Sequence, residues 1–237
     1  MFDIIAFDAD DTLWHTESLY TDTEAKVVPL LLPYAPSQII LDVMHANEIS
    51  NLRYYGYGIK SFLLSLVETA CQVSDNRLSS HEIMQIIRWG KEMLTTPVNL
   101  FEHAHACLSQ LSNTHTLMLI TKGDASEQEP KIDKSDLRPY FRYVEILGDK
   151  NIGSYSQLFE KYHLVPEHFL MVGNSMRSDI APVLELGGWA VYIPYHNTWA
   201  HEDIQVDPVS KEKFTELEHL GLLPGWLNGL SIPPKNL

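Results

Sequence analysis

Hydrophobic and polar positions keep two different rhythms along this chain, and the change falls near Pro97. From Leu13 to about Thr96 the apolar residues recur at helical spacing. Ile59, Phe62, Leu63, Leu66 and Ala70 fall on one face of a helix. Similar stripes run through Glu17–Leu32, Ser37–Asn51 and His81–Met93, with no strand-type run among them. Breaks fall at Pro33, Pro36, Gly56, Gly58 and Ser79-Ser80. The pattern predicts a bundle of about four helices.

Beyond Pro97, short apolar runs alternate with helical stripes of about ten residues. The predicted strands are Thr116–Ile120, Tyr143–Leu147, His168–Val172 and Trp189–Ile193. The predicted helices are Phe101–Leu111, Glu127–Lys134, Ser154–Tyr162 and Ser178–Leu186, with a further one over Phe214–Leu220. Alternation of this kind means βαβ units and a parallel sheet. The apolar run Phe2–Phe7 reads as the first strand of the same sheet. The expected architecture is therefore α/β: a Rossmann-like parallel sheet core over residues 1–14 and 97–237, with an α-helical cap over 15–96.

In an open parallel sheet, ligands bind beyond the carboxyl ends of the strands. The polar clusters of this chain fall there. Asp8-Ala9-Asp10-Asp11-Thr12 follows the first strand, and Thr121-Lys122-Gly123-Asp124 follows the second. Asp149-Lys150 follows the third, and Gly173-Asn174-Ser175 leads to Asp179 after the fourth. Carboxylates as close as Asp8, Asp10 and Asp11 repel one another and need a cation or a chemical task. Strand alternation sends Asp8 and Asp10 to the same side, where they can share a metal, or one can attack while the other moves protons. Taken singly, each cluster also reads as an ordinary turn or helix cap. Asp11 in particular reads as solvent-facing or helix-capping.

Composition narrows the partners. The 237 residues carry a formal net charge of -14, which argues against nucleic acid, whose backbone needs a basic face. Any anionic substrate must be drawn by local cations. No apolar stretch is long enough to span a bilayer, so no membrane partner is expected. No basic segment precedes the first strand, so no signal peptide is expected either. The two cysteines, Cys71 and Cys107, lack CxxC spacing and suggest reduced thiols and a cytoplasmic location. The eleven histidines form no HExxH, and His103, His105, His196 and His201 read as surface or capping residues. Tyr54, Tyr55 and Tyr57, beside Gly56 and Gly58, read either as packing within the helical block or as pocket lining. Trp14 reads as a packing residue at the hinge.

In order and chemistry, these clusters resemble the haloacid dehalogenase superfamily, mostly phosphatases. Its DxDxT motif matches Asp8 to Thr12, its strand-ending Thr matches Thr121, its Lys before a helix matches Lys150, and its GDSxxxD-like turn matches Gly173 through Asp179. The resemblance implies that Asp8 is the nucleophile and Asp10 the general acid/base. It implies Mg2+ as cofactor, held by Asp8 and Asp10 with Asn174 and Asp179. It assigns Thr121, Lys122 and Lys150 to the phosphoryl group, with the backbone N–H groups of Ala9, Asp10 and Lys122 completing the cradle. The helical insertion corresponds to a cap that closes over the core site. Asn174 departs from the family, which has Asp there; an amide oxygen still coordinates Mg2+ but brings no charge.

The activity implied is Mg2+-dependent hydrolysis of a small phosphorylated metabolite through an aspartyl-phosphate. Three alternatives stand beside it: a 2-haloacid dehalogenase, a phosphomutase, and a non-enzymatic phospho-accepting receiver or binding domain. Asp10 argues against the dehalogenase, whose halide leaves without a proton, while Asn174 favours it.

Overall fold

A computed structural model gives the structure of the chain and describes residues 2–197, 199, 202 and 212–230. The chain divides into two compact units. The first comprises Met1–Glu17, Val98–Lys122 and Gln128–Leu237, the second Ser18–Pro97 and Gly123–Glu127.

The first unit is built on a six-stranded parallel sheet. In chain order its strands are β1 (Ile4–Phe7), β2 (Thr116–Lys122), β3 (Tyr143–Leu147), β4 (Phe169–Gly173), β5 (Trp189–Tyr192) and β6 (Phe214–Glu216). Their order in space is β3-β2-β1-β4-β5-β6. The chain leaves β1 toward β2 and β3, then returns to the other side of β1 for β4. That reversal opens a crevice at the carboxyl end of β1, between β2 and β4.

Strand alternation explains why the sheet is covered on both faces. Ile5, Phe7, Leu117, Leu119, Leu170 and Val172 point to one face and pack with Cys107, Leu108 and Leu111 of α5 (Ala104–Leu111). Ile4, Ala6, Met118, Ile120 and Met171 point to the other and pack with Tyr155, Leu158 and Phe159 of α6 (Ile152–Tyr162).

Two expectations are corrected. Phe214–Leu220 is not a helix: Phe214–Glu216 is β6, paired in parallel with β5 from Ala190–Phe214 to Tyr192–Glu216. The unpaired backbone groups along the edge of β5 hold this short apolar-polar-charged stretch extended, overriding its helical spacing. Ser178–Leu186 is not one helix either. Met176–Ile180 forms a wide π-type turn, and a short helix, Ala181–Glu185, follows with Pro182 in its first turn.

The second unit contains α1 (Glu17–Leu31, its first residue counting with the first unit), α2 (Ser37–Tyr55), α3 (Ile59–Val73) and α4 (Ser80–Thr95). Val27, Leu31, Ile40, Met44, Phe62, Leu66, Ala70 and Ile86 form its core. A capping box starts α4, with the Glu82 N–H donating to Ser79 Oγ and the Ser79 N–H to Glu82 Oε2. At the start of α3 the Glu127 carboxylate accepts the N–H groups of Ile59 at 2.7 Å and Lys60 at 3.1 Å. Tyr54 and Tyr55 are exposed, so packing within the helical block does not describe them. Among the described residues no helix is long and apolar enough to cross a membrane. Cys71 and Cys107 are both free thiols.

Candidate active site

Three clusters form where β1, β2 and β4 end and where the chain leaves β3. The first centres on Asp8. Its N–H continues the sheet by donating to the Val172 carbonyl at 2.9 Å. One carboxylate oxygen accepts from Lys150 Nζ, the other from Thr12 Oγ1 at 3.0 Å. Lys150 also donates to Asp179 Oδ1 at 2.5 Å, and the Ser175 N–H donates to Asp179 Oδ2 at 3.0 Å. Asp8, Lys150 and Asp179 are all buried. Gly173 makes this packing possible: a Cβ there would fall onto the Asp179 carboxylate and 2.7 Å from its Cβ.

One ammonium thus serves two buried carboxylates. Burial pushes Asp8 up, Lys150 pulls it down, Asp179 pushes it up again, and it reaches about 7. Burial works against the Lys150 charge, but Asp179 and Asp8 hold its pKa well above the ordinary value.

The second cluster surrounds the Asp10 side chain. Its Oδ1 accepts from Trp14 Nε1 at 2.7 Å, Thr16 Oγ1 at 2.6 Å and Lys131 Nζ at 2.5 Å. Its Oδ2 accepts from Gln128 Nε2 at 2.6 Å, and the same amide reaches Thr121 Oγ1 at 2.9 Å. Burial favours the neutral acid, but the Lys131 ammonium and the hydrogen bonds bring Asp10 down to about 2. It is a firmly held carboxylate. The Trp14 ring is buried, and its indole fixes this arrangement.

The third cluster joins the ends of β2 and β4. Lys122 Nζ donates to Ser178 Oγ at 3.0 Å and to Glu202 Oε1 at 2.5 Å. The Ser175 and Ser178 hydroxyls donate to Glu202 Oε2 at 2.6 and 2.5 Å.

Asn174 meets the first cluster from β4. One end of its side-chain amide lies 3.2 Å from the Asp10 carbonyl oxygen, 3.1 Å from Thr12 Oγ1 and 3.3 Å from Asp8 Oδ2. A half turn of the amide exchanges oxygen for nitrogen at that point. With the nitrogen there, it donates to these acceptors. With the oxygen there, it accepts from Thr12 Oγ1 at 3.1 Å and faces the oxygens of Asp8 and the Asp10 carbonyl, and these last two with the amide oxygen are the donor set of a hard cation. The residues therefore fit Mg2+ through Asp8, the Asp10 carbonyl and Asn174. Among the described residues, no group of three His, Cys, Asp or Glu side chains is arranged to hold a metal.

The structure thus brings Asp8, Asn174, Lys150 and Asp179 together directly. Both oxygens of Asp179 are engaged by Lys150 and Ser175. Thr121 reaches the site through Gln128, and Lys122 is paired with Glu202. Asp11 is buried, not solvent-facing; it accepts the N–H groups of Thr16 and of Glu17, the first residue of α1, as its helix-capping reading expects. His105 meets the Tyr140 hydroxyl and His103 stacks on His219, while His201 lies outside the described residues. Sequence reasoning missed Gln128, Lys131 and Glu202. Gln128 and Lys131 lie three apart on one face of the helix after β2, but nothing in the sequence aims that face at Asp10.

A family model for haloacid dehalogenase-like hydrolases matches residues 2–187. The chain belongs to this family. This hydrolase is similar to a haloacid dehalogenase-like family hydrolase from Xanthomonas campestris, with 31% identity over 96% of this chain and 91% of the other, at a TM-score of 0.85. It shares its fold with the HAD-hydrolase YfnB of Bacillus subtilis, bound to magnesium, at 17% identity, 96% and 99% coverage and a TM-score of 0.65. It also shares it with a 2-haloacid dehalogenase from Pseudomonas syringae, at 22% identity, 96% and 99% coverage and a TM-score of 0.62. No curated protein matches the chain.

Proposed function

We propose that this hydrolase cleaves a small phosphomonoester through an aspartyl-phosphate on Asp8, with Mg2+ as cofactor. The observation that carries this reading is the convergence of Asp8 Oδ2 and the Asp10 carbonyl oxygen on the Asn174 amide, whose oxygen, when turned toward them, completes a hard cation's donor set. A halide displaced from carbon needs no such set, whereas a phosphoryl group needs its charge neutralised.

Asp8 Oδ attacks phosphorus, forming the new P–O bond as the ester oxygen leaves with its electron pair. Lys150 holds the Asp8 carboxylate in place and offsets its charge. The Mg2+, when bound by Asp8, the Asp10 carbonyl and Asn174, neutralises carboxylate and phosphoryl oxygens together. Asp179 stands behind, keeping Lys150 oriented. Thr121 presents its hydroxyl from the end of β2.

Asp10 begins the cycle as a carboxylate, suited to take a proton from the water that hydrolyses the intermediate. Protonating a poor leaving group requires Asp10 to be charged with a proton first, and a bound phosphoryl anion favours that by repulsion. p-Nitrophenolate leaves without a proton, which makes p-nitrophenyl phosphate the right first substrate.

The nitrogen-inward state of Asn174 favours a second reading, metal-free dehalogenation of a 2-haloacid, because the amide then satisfies the three acceptors itself. One experiment separates the two: phosphate release from p-nitrophenyl phosphate with and without Mg2+, beside halide release from a chloroacid. The proposal expects Mg2+-dependent phosphate release that Asp8→Asn abolishes. It also expects Asn174→Asp to tighten the Mg2+ requirement about tenfold, since a carboxylate replaces a neutral ligand. Halide release without metal, and no phosphate release, would overturn it.

A further inference from the structure

Glu202 lies outside every motif that identifies the family, beyond residues 2–187. Yet its side chain is buried against groups from two strand ends. Oε1 takes Lys122 Nζ at 2.5 Å and faces Arg177 Nη1 at 3.6 Å; Oε2 takes the Ser175 and Ser178 hydroxyls at 2.6 and 2.5 Å. A carboxylate that accepts from several well-placed donors is a strong tether. Burial raises its pKa, but Lys122 and the two hydroxyls outweigh this and bring it to about 2.

We propose that Glu202 is a positioning residue of the active site, which clamps Lys122 to the turn Gly173–Asp179 and through that turn holds Lys150 on Asp8.

The path is short and continuous. Ser175 gives its hydroxyl to Glu202 and its N–H to Asp179, and the other oxygen of Asp179 holds Lys150, which holds Asp8. Ser178 closes a second loop: its N–H donates to Ser175 Oγ at 2.9 Å, and its hydroxyl joins Glu202. Releasing Glu202 therefore loosens both ends of the wide turn that carries Asp179. It also leaves the Lys122 ammonium without that carboxylate, in surroundings where burial already lowers its pKa.

The clamp also changes what Lys122 does. A lysine at this strand end is expected to bind the phosphoryl group directly. Paired with Glu202, it instead acts as a fixed structural cation, and Lys150 carries the charge beside the nucleophile. The consequence for catalysis rests on the phosphatase reading; the clamp itself does not.

The test therefore reads both. Glu202→Gln keeps the shape and removes the charge. In protein carrying 13C-labelled lysine, the Lys122 Cε titration is expected to move to lower pH by about one unit. Hydrogen exchange at the amides of Ser175, Asp179 and Ile180 is expected to quicken about tenfold, with β1 unchanged. With p-nitrophenyl phosphate, kcat is expected to fall about tenfold while KM changes by less than about threefold, as for loss of a supporting partner. Glu202→Asp, one methylene shorter, should recover part of kcat. An unchanged Lys122 titration, or unchanged exchange in the turn, would overturn the clamp whatever the substrate. A lower KM at undiminished kcat would overturn it too, because Glu202 would then be competing with the substrate for Lys122. If wild type hydrolyses no phosphomonoester, the phosphatase reading fails and titration and exchange alone decide the clamp.

Discussion

The seam between α2 and α3 and the strand ends of the sheet unit bury polar side chains in opposite ways. In the helical unit, Asn47 Nδ2 donates to Thr69 Oγ1 at 3.0 Å and Gln72 Oε1 at 3.2 Å, and Asn51 Nδ2 donates to Ser65 Oγ at 3.1 Å and Glu68 Oε2 at 2.9 Å. These are mostly neutral groups, pairing α2 with α3, and they ask nothing of a ligand. In the sheet unit, Asp8, Asp179 and Lys150 are buried together, two carboxyl groups to one ammonium. Such an arrangement is costly unless something else completes it. Satisfied neutral pairs specify packing. A buried cluster of titratable groups marks the place where chemistry happens.

The comparison breaks most violently at Gly173. Adding a methyl group there drives the Asp179 side chain out of its place, leaving Lys150 with one carboxylate partner and the turn without its anchor. Gly173→Ala is expected to lower stability by about 3–5 kcal/mol, the scale for breaking a buried ion pair. Activity should disappear with it. Chemical denaturation beside a turnover assay measures both, and a variant as stable and active as wild type would mean that Asp179 is not held as described.

A smaller effect follows from the titration of Asp8. The proposed nucleophile acts as a carboxylate, and its folded pKa of about 7 lies above the ordinary value of 3.8. The rate of the free enzyme is therefore expected to rise with pH through about 7. Stability runs the other way. Between about 4 and 7 the folded state holds a proton that the unfolded chain has released, so raising the pH over that window costs stability. Asp8→Asn removes both dependences. If stability rises with pH across that window in wild type through Asp8, the charge assignment in the cluster is reversed.

How much of this was legible in the sequence depends on the reach of each interaction. Helical stripes and apolar runs are local, so the four helices before Pro97 and five of the six strands could be read directly. β6 could not, because Phe214–Glu216 is held extended by the edge of β5 and not by its own pattern. Asp8, Thr121, Lys150 and Asn174 announced themselves by position at strand ends. Lys131 and Gln128 did not, since only the folded helix turns them toward Asp10. Their effect is large: Asp10, expected as the general acid/base, is held as a carboxylate. Asn174 was legible as a departure from the family, but the two states of its amide appear only once the neighbouring oxygens are in place.

The smallest expected effect lies in the helical unit, and it sharpens the contrast because it isolates a buried polar group with no chemical task. Asn51→Leu removes the amide between α2 and α3. The partners it abandons are not stranded. The Ser65 hydroxyl already donates to the Ser61 carbonyl at 3.0 Å, and Glu68 lies toward solvent. Deleting a donor whose acceptors have other partners costs only the net worth of the hydrogen bonds, about 1 kcal/mol, and leucine returns part of that through apolar contact. A change of this size moves the melting midpoint by about 2–4 °C in a protein of this length. Turnover per folded molecule is expected to stay at the wild-type value. A tenfold loss of kcat in Asn51→Leu, at a melting midpoint within that range, would mean that the polar interior of the helical unit carries chemistry after all, and the division of labour drawn between the two units would fall.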